Sequence, residues 1–290
     1  MNKNLKKGYR SPMGDEELLR WVGQLEHIAL DMDGTIYMGS DLFDCTLPFL
    51  ALLREKGIGY SFLTNNPTKS AEDYIARLAS MGVECAPNQI YTTAMGAIDY
   101  LRTSRPELRR LFILGTESMT REFVAAGFEP TADSAEDEPD AVLVAFDTTL
   151  TYDRLCRAAW WIAQGKPYIA TNPDRVCPTN LPTVLVDCGS LCAALATATG
   201  REPDITIGKP NPDILRGVAA RYGVAVERVA MVGDRLYTDV QTAHNAGAMG
   251  VLTLSGETTL ADADRAEQQP HLTINSLADL GELIKRAKSC

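Results

Sequence analysis

Short apolar segments that end in polar residues constrain the fold of this chain more than any other feature. His27–Leu30 is followed directly by Asp31, and residues 229–232 are followed by Gly233 and Asp234. Apolar runs of this length, bounded by turn residues and separated by helical patterns, are typical of buried strands in a parallel sheet. Open sheets of this kind bind ligands beyond the carboxyl ends of their strands. The pattern therefore predicts an α/β protein with its functional site at that edge.

The first of these strands is followed by two carboxylates one residue apart, Asp31 and Asp33, and then by Gly34. In a continuing strand the two side chains would point to opposite faces. If the strand ends at Asp31 and the chain turns at Gly34, both carboxylates can converge beyond the strand. One could then attack as a nucleophile while the other transfers protons, with a divalent cation beside them. Taken alone, the motif fits an ordinary turn equally well.

Further polar groups follow the other predicted segments. In chain order they are Thr64, Asn65 and Asn66 after the strand-like residues 58–63, Lys209 in a Gly-Lys-Pro segment, and Asp239 after Asp234. This order of nucleophile strand, Thr/Asn strand, lysine and acidic pair resembles the haloacid dehalogenase superfamily of aspartyl-phosphate enzymes. Longer segments are similar to its NagD-like branch (subfamily IIA), which holds p-nitrophenyl, phosphoglycolate and pyridoxal phosphatases; these segments are residues 64–70, 170–174, 189–195 and 233–239.

The resemblance implies a Rossmann-like core with a parallel sheet and an inserted α/β cap domain. On this basis we predict that residues 27–102 and 203–290 form the catalytic core and that residues 103–202 form the cap. Residues 1–26 precede the core as an extension with one short helix, and its first 13 residues are expected to be disordered or loosely docked. Within the cap, apolar patterns predict strands at 111–114, 141–146, 168–170 and 184–186, and helices at 119–126 and 152–164.

The resemblance also implies the roles of the two carboxylates. Asp31 is expected to attack phosphorus and form an acyl phosphate, which divides one difficult displacement into two steps. Asp33 is expected to protonate the leaving oxygen and afterwards to activate water. Superfamily members that are dehalogenases or ion pumps have other residues at the position of Asp33. Its presence therefore favours rapid release of phosphate.

The phosphate group itself is expected to contact five other residues. The Thr64 hydroxyl and the backbone N–H groups of Gly34 and Asn65 are predicted to bind its oxygens, and the Asn65 side chain to orient the nucleophile or a phosphate oxygen. Asn66 is assigned either to the substrate or to a local turn. Lys209 is expected to offset the charge of the nucleophile and of the equatorial oxygens.

A magnesium ion is the predicted cofactor, because hard oxygen ligands with few protein donors suit Mg²⁺. The expected ligands are a carboxylate oxygen of Asp31, the carbonyl of Asp33 and the carboxylate of Asp234. Asp239 has three alternatives: direct ligand, water-mediated ligand, or N-cap of a helix that runs to Ala246. We favour a role behind the inner ligands that also caps this helix.

We interpret the chain as a magnesium-dependent phosphomonoester hydrolase of a small phosphorylated metabolite. The alternatives are a phosphotransferase or mutase of the same superfamily, or a non-catalytic binding protein on the same fold. Residues 171–175 concentrate polar groups after a short apolar strand, so Asn172, Asp174 and Arg175 are predicted to contact the substrate. The competing interpretation of this segment is a solvated turn.

Composition and charge limit the partners. The net charge of −10 argues against nucleic acid and anionic membranes. The seven scattered cysteines contain no C-x-x-C pair, and no apolar run reaches 18 residues, so a reducing cytoplasm is the expected location. Cys188 and Cys192 are expected to fill the core. Relatives often dimerise through the cap, which makes a homodimer the expected assembly.

Overall fold

The computed structural model describes residue 5, residues 7–177 and residues 182–289. Residues 1–4 and 6 of the predicted extension, residues 178–181 of the predicted cap and Cys290 lie outside the described residues. Within the described ranges the chain is an α/β protein built around parallel sheets, which confirms the predicted fold class. No helix in these ranges is long and apolar enough to cross a membrane.

Strands and helices alternate along the chain. The strands are β1 (Tyr9–Arg10), β2 (His27–Leu30), β3 (Tyr37–Met38), β4 (Asp41–Leu42), β5 (Gly59–Thr64), β6 (Ile90–Thr92), β7 (Arg110–Leu114), β8 (Glu129–Pro130), β9 (Ala141–Val144), β10 (Tyr168–Ala170), β11 (Val176–Cys177), β12 (Leu185–Val186), β13 (Ile205–Thr206), β14 (Val229–Gly233), β15 (Met249–Thr253) and β16 (Leu272–Ile274). The helices are α1 (Asp15–Gln24), α2 (Thr46–Glu55), α3 (Ala71–Ser80), α4 (Thr93–Ser104), α5 (Glu117–Ala125), α6 (Tyr152–Ala163), α7 (Cys188–Thr199), α8 (Pro212–Tyr222), α9 (Gln241–Ala246), α10 (Leu260–Arg265) and α11 (Leu277–Ala287).

The chain divides into two compact units. The first comprises residues 1–63, 75–91 and 209–290, and the second comprises residues 64–74 and 92–208. The predicted cap range, 103–202, therefore falls inside the second unit. That unit also takes in helix α4, which the sequence analysis did not anticipate, and the segment that follows β5.

A seven-stranded sheet organises the first unit, in the order β1-β16-β15-β14-β2-β5-β6. Strand β2 lies near its centre and is parallel to β14 and to β5, with Leu30 opposite both Val232 and Phe62. All four residues of β2 are buried, as expected for a strand covered on both faces. The carboxyl ends of these strands consequently meet at one edge of the sheet.

The first 13 residues are not all loose, and that part of the prediction was wrong. Tyr9 and Arg10 form β1, which pairs antiparallel with β16 at the sheet edge, with Tyr9 opposite Ile274. An unpaired edge strand presents free backbone N–H and C=O groups. Pairing with β1 gives those of β16 hydrogen-bond partners. The predicted helix α1 is present, with Leu18 and Val22 fully buried.

A five-stranded parallel sheet organises the second unit, in the order β13-β10-β9-β7-β8. Alternate residues of its strands point to opposite faces, so Leu111 and Ile113 pack on one side and Phe112 and Leu114 on the other. The second face is covered by α6 and α7 and contains Trp161, Cys188 and Cys192. The expectation that these two cysteines fill the core is confirmed.

Candidate active site

Asp31 is the first residue beyond β2, and its backbone N–H donates to the carbonyl of Val232 at 2.8 Å. The chain then turns, with the N–H of Gly34 donating to the carbonyl of Tyr37 at 2.8 Å. Gly34 has a φ of +83°, a conformation that favours glycine. The strand therefore ends directly before Asp31 and the chain turns at Gly34, close to the arrangement that the sequence predicts.

Asp33 lies in this turn and is exposed. Its Oδ2 accepts a hydrogen bond from the Tyr37 hydroxyl at 3.2 Å. Tyr37 is fully buried, and the guanidinium of Arg77 lies 4.7 Å from the centre of its ring. The hydroxyl of the buried Tyr37 thus restrains the carboxylate of Asp33.

Lys209 links two of the predicted carboxylates. Its Nζ lies 2.5 Å from Oδ1 of Asp31 and 2.6 Å from Oδ1 of Asp239, and its side chain is 3% exposed. A buried ammonium needs such partners, because an unpaired charge away from water is very costly. The structure brings together three residues that lie far apart in the sequence.

Asp31, Asp234 and Asp239 each place one carboxylate oxygen within 4.8 Å of the other two. Oδ2 of Asp234 accepts the backbone N–H of Glu257 at 2.6 Å. Oδ1 of Asp234 is buried and has no hydrogen-bond partner within the described residues. A buried carboxylate oxygen without a donor, in an all-oxygen cluster, fits a small hard cation such as Mg²⁺.

The charges at this cluster shift one another's protonation. Burial raises the pKa of Asp31 to about 8, with Asp239 and Asp234 adding to the increase and Lys209 opposing it. Burial and Asp239 raise the pKa of Asp234 to about 6. Burial alone would lower the pKa of Lys209, but Asp239 and Asp31 outweigh it and the pKa is raised. Lys209 therefore stays charged while the crowded carboxylates need further positive charge.

Three glycines leave room for these carboxylates. A Cβ on Gly34 would lie 2.4 Å from Oδ2 of Asp234, and one on Gly256 would lie 2.0 Å from the same atom. A Cβ on Gly233 would lie 2.1 Å from Cγ of Asp239. Any side chain at these positions would displace a member of the cluster.

The loop after β15 supplies contacts that the sequence analysis missed. The Ser255 hydroxyl donates to the carbonyl of Gly34 at 2.7 Å, and the N–H of Glu257 holds Asp234. The sequence signal for this loop is its position directly after the apolar residues of β15. Arg235, whose Nε lies 2.9 Å from Oε2 of Glu257, belongs to the segment 233–239 that carries part of the family resemblance.

The predicted capping role of Asp239 was wrong. Asp239 lies inside a π-helical turn, Leu236–Val240, and α9 begins only after it, with Val240 at its N-cap. Oδ2 of Asp239 accepts the backbone N–H of Arg235, four residues earlier, at 3.0 Å. The side chain faces back toward the end of β14, so it closes the turn that precedes the helix.

The Thr/Asn segment is divided between a strand end and local turns. Thr64 is the last residue of β5, and its hydroxyl accepts the backbone N–H of Asn66 at 3.1 Å. Oδ1 of Asn66 accepts both the N–H and the hydroxyl of Thr68, at 3.0 and 2.6 Å. This is the local turn anticipated as one of the two alternatives for Asn66.

Asn65, Asn172 and Asp174 form a buried polar network in the second unit. The Asn65 side-chain amide donates to Oδ2 of Asp174 at 2.8 Å, and the Asn172 amide donates to the same oxygen at 3.1 Å. The Asn172 amide also donates to Oδ1 of Asp187 at 3.1 Å. Asn172 is fully buried, whereas Arg175 is exposed. Asn172 and Asp174 therefore lie in a hydrogen-bonded interior and not in a solvated turn.

Known proteins similar to this chain include phosphatases. A haloacid dehalogenase-like hydrolase model matches residues 28–129, and a HAD-hydrolase-like model matches residues 206–280. The ribonucleotide monophosphatase NagD of Escherichia coli K12 is 31% identical over 256 residues, covering 88% of this chain and 98% of that protein.

Two solved structures show the same architecture. A 4-nitrophenylphosphatase from Thermotoga maritima has a TM-score of 0.85 at 40% identity, covering 90% of this chain and 98% of that one. A glycerol phosphate phosphatase from Mycobacterium tuberculosis, in complex with magnesium, has a TM-score of 0.83 at 31% identity, covering 91% of this chain and 79% of that one.

Proposed function

The chain belongs to the haloacid dehalogenase-like hydrolases, and from this membership we propose that it is a magnesium-dependent phosphatase of small phosphate monoesters. The observation that carries the proposal is the buried Lys209 between Asp31 and Asp239, with a buried oxygen of Asp234 lacking a donor beside them. The names of the relatives, a nucleotide, a nitrophenyl and a glycerol phosphate phosphatase, support a small phosphorylated metabolite as the substrate class.

Asp31 is the proposed nucleophile. Lys209 binds its Oδ1, which leaves Oδ2 as the proposed attacking atom. As the bond between Oδ2 and phosphorus forms, the bond between phosphorus and the ester oxygen breaks, and an aspartyl phosphate results. Lys209 also offsets the negative charge that accumulates on the phosphoryl oxygens.

Asp33 is the proposed acid and base. In its protonated form it gives its proton to the departing alcohol oxygen, and in its ionised form it then takes a proton from the water that attacks the aspartyl phosphate. The hydroxyl of Tyr37 holds one oxygen of Asp33 and so limits the orientations of the carboxylate. Thr64, at the end of β5, and the N–H of Gly34 are retained as phosphate-binding groups in this proposal.

The magnesium ion would be held by Asp31 and Asp234, with the Asp33 carbonyl as the further predicted ligand. When bound, it supplies positive charge to the carboxylate cluster and to the phosphate oxygens. Asp239 is paired through one oxygen with Lys209 and through the other with the N–H of Arg235. We therefore assign Asp239 to holding Lys209 and the Arg235 turn in place.

The second unit is the proposed determinant of substrate choice, as the family resemblance implies for the cap. Arg175 is the residue we retain for contact with the substrate, because it is exposed. Asn172 and Asp174 instead support Asn65 through their buried network. A cytoplasmic location and a homodimer formed through this unit also remain proposals; the six described cysteines, all free, support the first.

Hydrolysis of p-nitrophenyl phosphate by the purified protein tests the proposal. We expect activity that EDTA abolishes and Mg²⁺ restores, and we expect Asp31→Asn to lose at least ~10³-fold in kcat because the amide cannot attack phosphorus. Asp213→Asn, at a carboxylate that is 68% exposed, is the matched control and should retain activity. Activity of Asp31→Asn near that of the control would refute covalent catalysis by Asp31.

A further inference from the structure

We propose that Glu257 and Arg235 are positioning residues that set Asp234 for the divalent cation; this inference rests on the proposed function. The backbone N–H of Glu257 donates a hydrogen bond to Asp234, and the side chain of Glu257 forms an ion pair with Arg235. Arg235 directly follows Asp234 in the sequence. The pair therefore ties the loop that carries the acidic residues to the loop that follows β15.

The backbone of the β15 loop orients Asp234. The N–H of Glu257 donates to Oδ2 of Asp234 at 2.6 Å, and the N–H of Thr258 donates to its carbonyl at 3.2 Å. A donor on Oδ2 leaves Oδ1, which is buried and has no hydrogen-bond partner within the described ranges, as the oxygen for the cation. If the loop moved, the carboxylate would lose this orientation.

The side chain of Glu257 holds the loop in that position. Its Oε2 lies 2.9 Å from Nε of Arg235, and its Oε1 accepts the Tyr237 hydroxyl at 3.1 Å. Arg235 is in turn held at its backbone, where its N–H donates to Oδ2 of Asp239 at 3.0 Å. Asp234 and Asp239 are thus both connected to the Arg235–Glu257 pair.

The pair also balances charge beside the cation site. The Arg235 side chain is 17% exposed, and its guanidinium is always charged. A permanently charged guanidinium next to a cation site would repel the cation if nothing paired with it. Glu257 neutralises that charge, so its loss should weaken cation binding through both orientation and repulsion.

A double-mutant cycle on Mg²⁺ binding tests the inference. Isothermal titration of the metal-free protein with MgCl₂ gives Kd for wild type, Glu257→Gln, Arg235→Gln and the double variant. We expect Glu257→Gln to raise Kd about 10-fold or more, in the range found when groups behind metal ligands are removed. We expect Arg235→Gln to recover part of this loss in the double variant, because the unpaired guanidinium is then gone.

Several comparisons separate positioning from a general effect on folding. Thermal unfolding of the metal-free Glu257→Gln protein should match wild type, and kcat at saturating Mg²⁺ should return to within about 3-fold of wild type. Tyr237→Phe keeps the ion pair and should change Kd by less than about 2-fold. Glu282→Gln, at a carboxylate that is 69% exposed, is the matched control and should bind as wild type.

The outcomes distinguish this inference from the proposed function. Mg²⁺ binding by wild type with an unchanged Kd in both Glu257→Gln and Glu257→Ala would overturn the positioning role alone. Strictly additive effects in the cycle, or a loss of affinity matched by an equal loss of metal-free stability, would also overturn it. A wild-type protein that neither binds Mg²⁺ nor hydrolyses phosphate esters would overturn the proposed function and this inference with it.

Discussion

Lys209→Met removes the charge that the carboxylate cluster depends on while keeping a side chain of similar length. The ammonium lies 2.5 Å from Asp31 and 2.6 Å from Asp239, and the side chain is 3% exposed. Coulomb's law with an effective dielectric constant of about 20 gives roughly 6–7 kcal/mol of attraction for each contact. Desolvation of the ammonium offsets much of this attraction. Removing one partner of a buried ion pair typically destabilises by about 3–5 kcal/mol, which is the loss we expect here.

Catalysis should fall together with stability. Lys209 is the group that opposes the increase in the pKa of Asp31, so in the variant this pKa should rise above its present value of about 8. A higher pKa further disfavours the ionised carboxylate, which is the form that attacks phosphorus. Loss of the charge that stabilises the phosphoryl oxygens adds a further reduction, and we expect kcat to fall by at least ~10²–10³-fold.

Urea unfolding in EDTA and p-nitrophenyl phosphate hydrolysis in Mg²⁺ measure the two effects. Lys285→Met is the matched control, because Lys285 is 53% exposed and pairs with Glu282 at the surface. That exposed pair should contribute less than about 1 kcal/mol. If the free energies of unfolding of the two variants agreed within this margin, or Lys209→Met kept wild-type kcat, the electrostatic reasoning for Lys209 would be refuted.

Two further predictions concern the cluster and the sheet beneath it. In Gly256→Ala, the new Cβ would lie 2.0 Å from Oδ2 of Asp234, so the Mg²⁺ concentration for half-maximal activity should rise about 10–100-fold. The control is Gly14→Ala, which should match wild type because nothing lies within 4 Å of its new Cβ. Equal activation curves for the two variants would contradict the predicted clash. His27, buried with its Nε2 3.0 Å from the Ser61 hydroxyl, has its pKa lowered by burial from 6.5 to about 4. Because the folded pKa of His27 lies below the unfolded one, its contribution to the free energy of unfolding is fully present above pH 6.5 and is lost as pH falls toward 4. Across this window the free energy of unfolding should drop by up to about 3 kcal/mol in wild type and by less in His27→Gln. If urea unfolding gave the same pH dependence for both proteins, the assignment to His27 would be disproved.

Local sequence determined the elements that build the active-site edge. The apolar runs that precede Asp31 and Asp234 form β2 and β14, and Gly34 turns the chain where predicted. Helix ends at Gly223 and Gly247 are likewise set by glycines in the left-handed conformation. Such features depend on residues adjacent in the chain, which is why pattern and turn chemistry predict them.

Other features of the site depend on residues that only the fold brings together. The β15 loop that holds Asp234 through Glu257, and the pairing of Lys209 with both Asp31 and Asp239, follow from strand order in the sheet. The sequence predicts a polar segment around Asn172 that contacts the substrate. Only the fold shows that Asn172 is buried and that its amide donates to Asp174 and Asp187.

The order of polar residues was enough to predict the groups that meet in the cluster of Asp31, Lys209, Asp234 and Asp239, because each follows a strand or stands in a recognisable local segment. The sequence could not indicate which oxygen of each carboxylate is paired and which is left for a cation. That choice depends on backbone N–H groups donated from loops distant in the chain, such as Glu257 to Asp234. The same holds for Asp239. Its backbone partner Arg235 lies only four residues earlier in the sequence, but the sequence did not predict the π-helical turn that brings the two together. Local sequence patterns thus predict which residues lie at the site. Hydrogen bonds from loops distant in the chain decide which atoms of those residues are paired.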